Sequence, residues 1–236
     1  MFNNVRYIFI AFSIVSIFIS FWLFSRFTVD DAFITWRYGQ NLVNFGIWNY
    51  NPSNLDLTQA YTNPIYAILS IIPAYFAIDV VLFFKFLSIF ILAGFFIYFY
   101  SKTKSLLMTL MAYATPSLFI HAFSGLETFL FIALLVILFI TLDENKPLKS
   151  LLVTAALMLT RPEAWLLIIL VPTYFLVKNH LDTYKSFDDI KSIYKRIPSF
   201  FKDGKSIKLS LALFITIGFF LFAYFYIHKA MFGYAL

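Results

Sequence analysis

The sequence predicts an all-α fold, a polytopic bundle of transmembrane helices forming one membrane domain over residues 1–236, on three observations. The chain is 61% hydrophobic and only 13% charged, with a mean hydropathy of +0.83, too apolar for a soluble domain of this length. Apolar runs that approach the ~30 Å of a bilayer core recur along it. The basic residues sit between those runs, so topology accounts for the net charge of +6 and no nucleic-acid partner is implied. There is no cysteine, which excludes disulfides, thiolate metal ligands and thiol nucleophiles.

The first transmembrane helix is expected over residues 7–25. Its apolar stretch is longer than a signal-peptide core and no small-x-small cleavage site precedes Arg26, so it reads as an anchor. Arg6 ahead of it assigns the N-terminus to the cytoplasm. Residues 26–85 then form a long first outer loop carrying amphipathic interfacial helices. With a helix starting at Asp31 and Asp30 as its N-cap, Asp30, Ile34, Arg37, Asn41 and Asn44 fall along one stripe, and Phe33, Trp36 and Val43 along another. That is the pattern of a helix lying on the bilayer. Residues 64–77 are apolar but, at ~1.5 Å per residue, fall short of the hydrocarbon thickness. Letting them cross would also put Lys102, Lys104 and the Lys-rich segment that follows outside, so they read as an interfacial or re-entrant helix.

Residues 86–177 hold the next helices, with spans expected at 86–100, 106–120 and 128–142. Two short arms follow, 151–160 and 164–177, hinged at Arg161, Pro162 and Glu163, with the polar tip in the outer half of the membrane. Residues 178–208 are expected to be a cytoplasmic basic loop along anionic headgroups, and 209–227 the last helix. Of the 18 Lys and Arg residues, this threading leaves only Arg26, Arg37, Lys85, Arg161 and Lys229 outside. The polar motifs then face outward from the inner, cytoplasmic membrane.

Those motifs are Asp30-Asp31, the amide- and aromatic-rich stretches 46–52 and 59–64, Lys85, Ser124-Gly125-Leu126-Glu127, and the Arg161–Glu163 tip. Adjacent carboxylates at a membrane surface are a costly way to cap a helix, where one Asp would suffice, and can equally serve only to charge its start. They could hold Mg2+ or Mn2+ through oxygen ligands, but two ligands do not define a site, and no cofactor is assigned. Tyr61, Asn63 and their neighbours suit sugar hydroxyls and ring faces, and equally turns at a membrane interface. Lys85, expected at the outer mouth of the second span, either snorkels to the headgroups or pairs with a lipid phosphate. Arg161 and Glu163 are costly inside a membrane segment and either pair with each other or serve the site. His121 and His228, without established proximity, make no metal site.

Taken together, Asp30-Asp31-Ala32-Phe33-Ile34-Thr35, Arg37-Tyr38, Asn41-Leu42, Gly46, Asn51-Pro52, Tyr61-Thr62-Asn63, Ser124-Gly125-Leu126-Glu127-Thr128 and Thr160-Arg161-Pro162-Glu163 resemble the GT-C glycosyltransferases, nearest to the mycobacterial-type terminal arabinofuranosyltransferases. The resemblance implies a GT-C type membrane bundle that transfers a hexosyl or pentosyl group from a polyprenyl-phosphate donor to a glycan, lipid or protein acceptor in cell-envelope glycan biosynthesis. On it, Asp30 or Asp31 is the catalytic base of an inverting reaction. Lys85 steadies the leaving phosphate, and Arg37, Tyr61, Asn63, Glu127, Arg161 and Glu163 bind the donor or hold the catalytic groups. Where the family usually has Glu-Gly before the Tyr-Thr pair, this chain has Gln59-Ala60. Family members also continue past the region of Phe232-Gly233 into further helices. The chain is therefore expected to be truncated, minimal, or completed by a second polypeptide. The alternative from another class is a non-catalytic relative that binds lipid-linked sugar or scaffolds a partner enzyme. A transporter fits less well, because no internal repeat is evident.

Overall fold

The computed structural model describes residues 2–53, 57–181 and 204–233. Every regular element among them is helical, with no strand. Most of the expected basic loop 178–208 lies outside the described residues. The chain divides into two compact units, Met1–Ala133 and Leu134–Leu236.

In the first unit α1 runs Phe2–Phe24 and a short turn leads into α2, Asp30–Phe45. This helix starts one residue earlier than its sequence suggests. Its cap is Val29, in extended backbone and without a capping side chain. The Val29 amide donates instead to the Ser124 carbonyl at 2.9 Å, so the neighbouring motif anchors the turn and Asp30 becomes the first helical residue. At the other end Gly46 takes φ +70 and its amide donates to Leu42 O, a left-handed stop that costs a glycine little.

The face of α2 carrying Ala32, Thr35, Trp36 and Gly39 is buried, and α2 packs on α3, Pro64–Leu69, and α4, Ile71–Tyr75. It is thus more than a surface helix. At the crossing the Gly39 amide donates to Ser70 Oγ at 3.2 Å. The Asn63 side chain caps α3 by accepting from the Tyr66 amide at 3.1 Å, with Pro64 following at a position where its missing N–H is harmless. Trp36 stacks on Phe84 with ring centroids 4.8 Å apart, and Phe84 on Tyr66 at 4.9 Å, which ties α2, α3 and the helix carrying Phe84 into one aromatic core. Each fully buried ring of this size stabilises the fold by about 2–3 kcal/mol.

α5 spans Val80–Thr103, capped by Asp79, which accepts from the Leu82 amide at 2.7 Å. The span expected from residue 86 therefore begins six residues sooner, and Lys85 lies within its second turn. The single span expected at 106–120 is two helices, α6, Leu106–Tyr113, and α7, Pro116–Phe123, bent by 59°. Thr115 precedes a proline whose ring disfavours helical backbone there, and it sits at φ −91, ψ 98. α8, Thr128–Asp143, leads into the second unit.

In the second unit α9, Pro147–Thr160, stops at Arg161, whose φ −151, ψ 140 is fully extended. A 3-10 turn, Pro162–Leu166, follows, then α10, Leu167–Leu181, and α11, Gly204–Phe232. The break at the Arg-Pro-Glu tip falls where the sequence puts a hinge. Lys178 donates to Leu142 O at 2.8 Å and Asp143 O at 2.6 Å, closing the C-terminal end of α8. The Ser210 hydroxyl, donating to Pro172 O at 2.9 Å, joins α11 to α10.

By length and composition α5 and α11 can each cross a membrane, and α6 with α7 can make a third, broken span. The chain has the helices of a membrane protein.

Candidate functional site

Three of the motifs singled out in the sequence meet in the first unit. The Val29 to Ser124 bond holds the start of α2 against the 124–127 turn. Gly125, at φ +86, lets that turn lie on α2: a Cβ there would stand 2.9 Å from the Trp36 ring and 3.1 Å from Ala32. Across the same region Asn63 Nδ2 donates to Glu127 Oε2 at 2.8 Å, both residues buried, linking positions 64 apart in sequence. Burial first, and the Glu127 carboxylate second, push the Tyr66 hydroxyl well above the ordinary tyrosine range. Asp30 and Asp31 stand in the first turn of α2, both exposed, where the helix dipole favours negative charge.

The polar stripe of α2 forms the floor of a concavity of about 550 Å3, lined by Asp30, Ile34, Arg37, Asn41 and Asn44, as the periodicity indicates, and by Phe33, Trp36, Gln40 and Tyr50. The Arg37 guanidinium lies 4.8 Å from the centre of the Tyr50 ring, a cation–π contact that leaves its fork exposed. Asp31 is not among the lining residues. Of the lining residues the sequence assigns only Asp30 and Arg37 to the site, and Gln40 falls on neither of the stripes read from the helical period. The Trp36 indole N–H is buried with no acceptor among the described residues, a state costing about 1–3 kcal/mol in a fully folded core. Tyr50 could not have been found by helical spacing, since it comes from the following loop.

That loop uses its polar groups on itself. Asn41 Nδ2 donates to Asn49 O at 2.7 Å and Tyr50 O at 2.9 Å. Asn49 Oδ1 accepts from the amides of Tyr50 and Thr58 at 2.8 and 2.9 Å. The Tyr38 hydroxyl donates to Thr58 O and accepts from the Ala60 amide at 2.7 Å. Trp48 Nε1 donates to the Tyr61 hydroxyl at 3.1 Å. The amides and aromatics read as sugar-like are, at these atoms, the pins of an ordered loop.

Lys85 is 3% exposed, and its ammonium donates to Phe24 O at 2.9 Å, Phe27 O at 2.5 Å and Phe123 O at 2.9 Å. An ammonium has three hydrogens, and these carbonyls take all of them. Arg161, half-buried at the helix break, and Glu163, exposed in the turn after it, belong to the second unit. Among the described residues no group of three or more His, Asp or Glu is placed to hold a metal ion.

No family model matches the chain, and no curated protein or solved structure matches it.

Proposed function

We propose that the chain is a GT-C type glycosyltransferase that moves a sugar from a polyprenyl-phosphate donor to an acceptor hydroxyl on the outer face of the membrane. Asp30 takes the proton of the acceptor hydroxyl. The acceptor oxygen then bonds to the anomeric carbon with inversion, and the bond from that carbon to the lipid phosphate oxygen breaks. Arg37, with an exposed fork in the same concavity, meets the leaving phosphate. Asp31, beside the base, adds negative charge to the same helix end.

The observation that carries the reading is that a carboxylate and a guanidinium seven residues apart line one concavity on a membrane protein. About 10 Å of helix rise between them leaves room for one sugar ring and its phosphoryl link. The meeting of the 30–41, 61–63 and 124–127 motifs in one unit adds support. Transfer of labelled sugar from polyprenyl-phosphate donors in membranes containing the protein tests it. Asp30→Asn combined with Asp31→Asn is expected to cut transfer by about 10²–10⁴-fold, and full activity in that variant defeats the proposal.

The second reading, a binder or scaffold without catalysis, is favoured by the polar atoms of Tyr61, Asn63 and Lys85 already having partners inside the fold. Donor binding without turnover, unchanged by the double Asp variant, would select it.

A further inference from the structure

We infer that Lys85 is a positioning residue, an internal clamp that sets where the α2 carboxylates stand, and not a contact for the donor's phosphate. Its three acceptors belong to separate segments: Phe24 ends α1, Phe27 lies in the turn three residues before Asp30, and Phe123 ends α7. Helix C-termini carry carbonyls with spare acceptor capacity and the negative end of the dipole, so one cation between two such ends is favourable: Phe123 O takes its bond in a buried setting, and Phe24 O accepts from Lys85 alongside the Phe27 amide. The segments it joins are the ones that locate the site. The residue after Phe123 is Ser124, whose carbonyl receives the Val29 amide, and the residue after Val29 is Asp30. Lys85 thus holds the chain beside both partners of the bond that starts α2, two residues before Val29 and one before Ser124.

The geometry also speaks against a phosphate role. With the residue 3% exposed and every hydrogen engaged, a phosphate would have to reach a buried ammonium and displace one of its three carbonyls. Arg37 offers an exposed fork at no such cost.

The positioning of catalytic carboxylates rests on the transferase reading, whereas the clamp itself does not, and two measurements separate them. Hydrogen exchange followed by mass spectrometry on donor-free protein in detergent compares wild type, Lys85→Met and Lys85→Arg. Lys85→Met is expected to raise exchange about tenfold or more in peptides covering 25–33 and 124–128, with peptides from 90–103 of α5 unchanged. Unchanged exchange in those segments overturns the clamp. If Lys85→Met loosens the whole unit, Lys85→Arg decides: its guanidinium can still donate to the carbonyls, so protection at 25–33 recovers under the clamp, and failure to recover overturns it. The second measurement is transfer kinetics of Lys85→Met, with Lys85→Arg expected to return kcat toward the wild-type value. Displaced carboxylates lower kcat with the KM for a polyprenyl-phosphate sugar within about twofold of wild type, whereas loss of a phosphate contact raises KM and refutes the positioning role. A changed exchange pattern in a protein that transfers no sugar upholds the clamp and rejects the transferase.

Discussion

Gly39 is the sharpest point at which the packing of α2 can be tested. Glycine inside a helix is ordinarily a weakness, and Ala in its place stabilises an exposed helix by about 1 kcal/mol. Here the sign should reverse. A Cβ at residue 39 would lie 2.3 Å from Ser70 Oγ, 2.4 Å from the Ser70 carbonyl carbon and 2.5 Å from the Ile71 amide nitrogen, each about 1 Å inside ordinary contact. The hydroxyl can rotate away, but the two backbone atoms cannot, so α2 must lift from α3 and α4. Overpacking of this kind costs about 1–3 kcal/mol, before counting the strained bond from the Gly39 amide to Ser70. Gly39→Ala should therefore lower the thermal unfolding midpoint in detergent by roughly 3–10 °C, despite the gain in helix propensity. Gly94→Ala supplies the control: that glycine is also helical, in α5, and its added methyl meets nothing within 4 Å. It is expected to be neutral or slightly stabilising. A Gly39→Ala protein as stable as wild type would refute the close crossing and the burial of α2 on α3 and α4.

Gly125→Ala forces a left-handed residue to carry a methyl against the Trp36 ring, and a loss of about 1–3 kcal/mol with a shift in tryptophan emission is expected. Tyr66 holds its proton above the ordinary tyrosine pKa of about 10, so the folded state binds more protons than the unfolded state at alkaline pH. Stability is then full below that range and falls as pH climbs through it, and Tyr66→Phe should flatten the fall in unfolding midpoints recorded from about pH 9 to 11.5. Because Asp30 and Asp31 are exposed in the first turn of α2, where the helix dipole favours their charge, their double Asn variant should keep its unfolding free energy to within about 1 kcal/mol while losing transfer. A large drop in stability would mean that the acids hold the fold.

What the sequence made legible was local. The stripe from Asp30 to Asn44 follows from helical period alone and does line the concavity, and the hinge at Arg161 follows from Pro162. The errors arise where a distant segment decides. Asp30 looks like a cap because acids favour that position, but the Ser124 carbonyl, 95 residues on, fixes the turn at Val29. Lys85 looks like a residue at a membrane surface because hydropathy registers only an interruption, and the carbonyls that engage it lie 38 to 61 residues away. Hydropathy also averages across 106–120, and so passes over the 59° bend that Pro116 imposes. Asn49 resembles a ligand contact until its oxygen is seen closing the loop on Thr58.

The Lys85 clamp has a consequence for biogenesis. The lysine leaves the ribosome 38 residues ahead of Phe123, its last acceptor, so during synthesis α5 emerges with a charge whose shell is incomplete. Until α7 arrives, one hydrogen of the ammonium has no carbonyl to take it, and water must stand in. Docking of α7 supplies that carbonyl and brings Ser124 to the Val29 amide, which couples the seating of α5 to the start of α2.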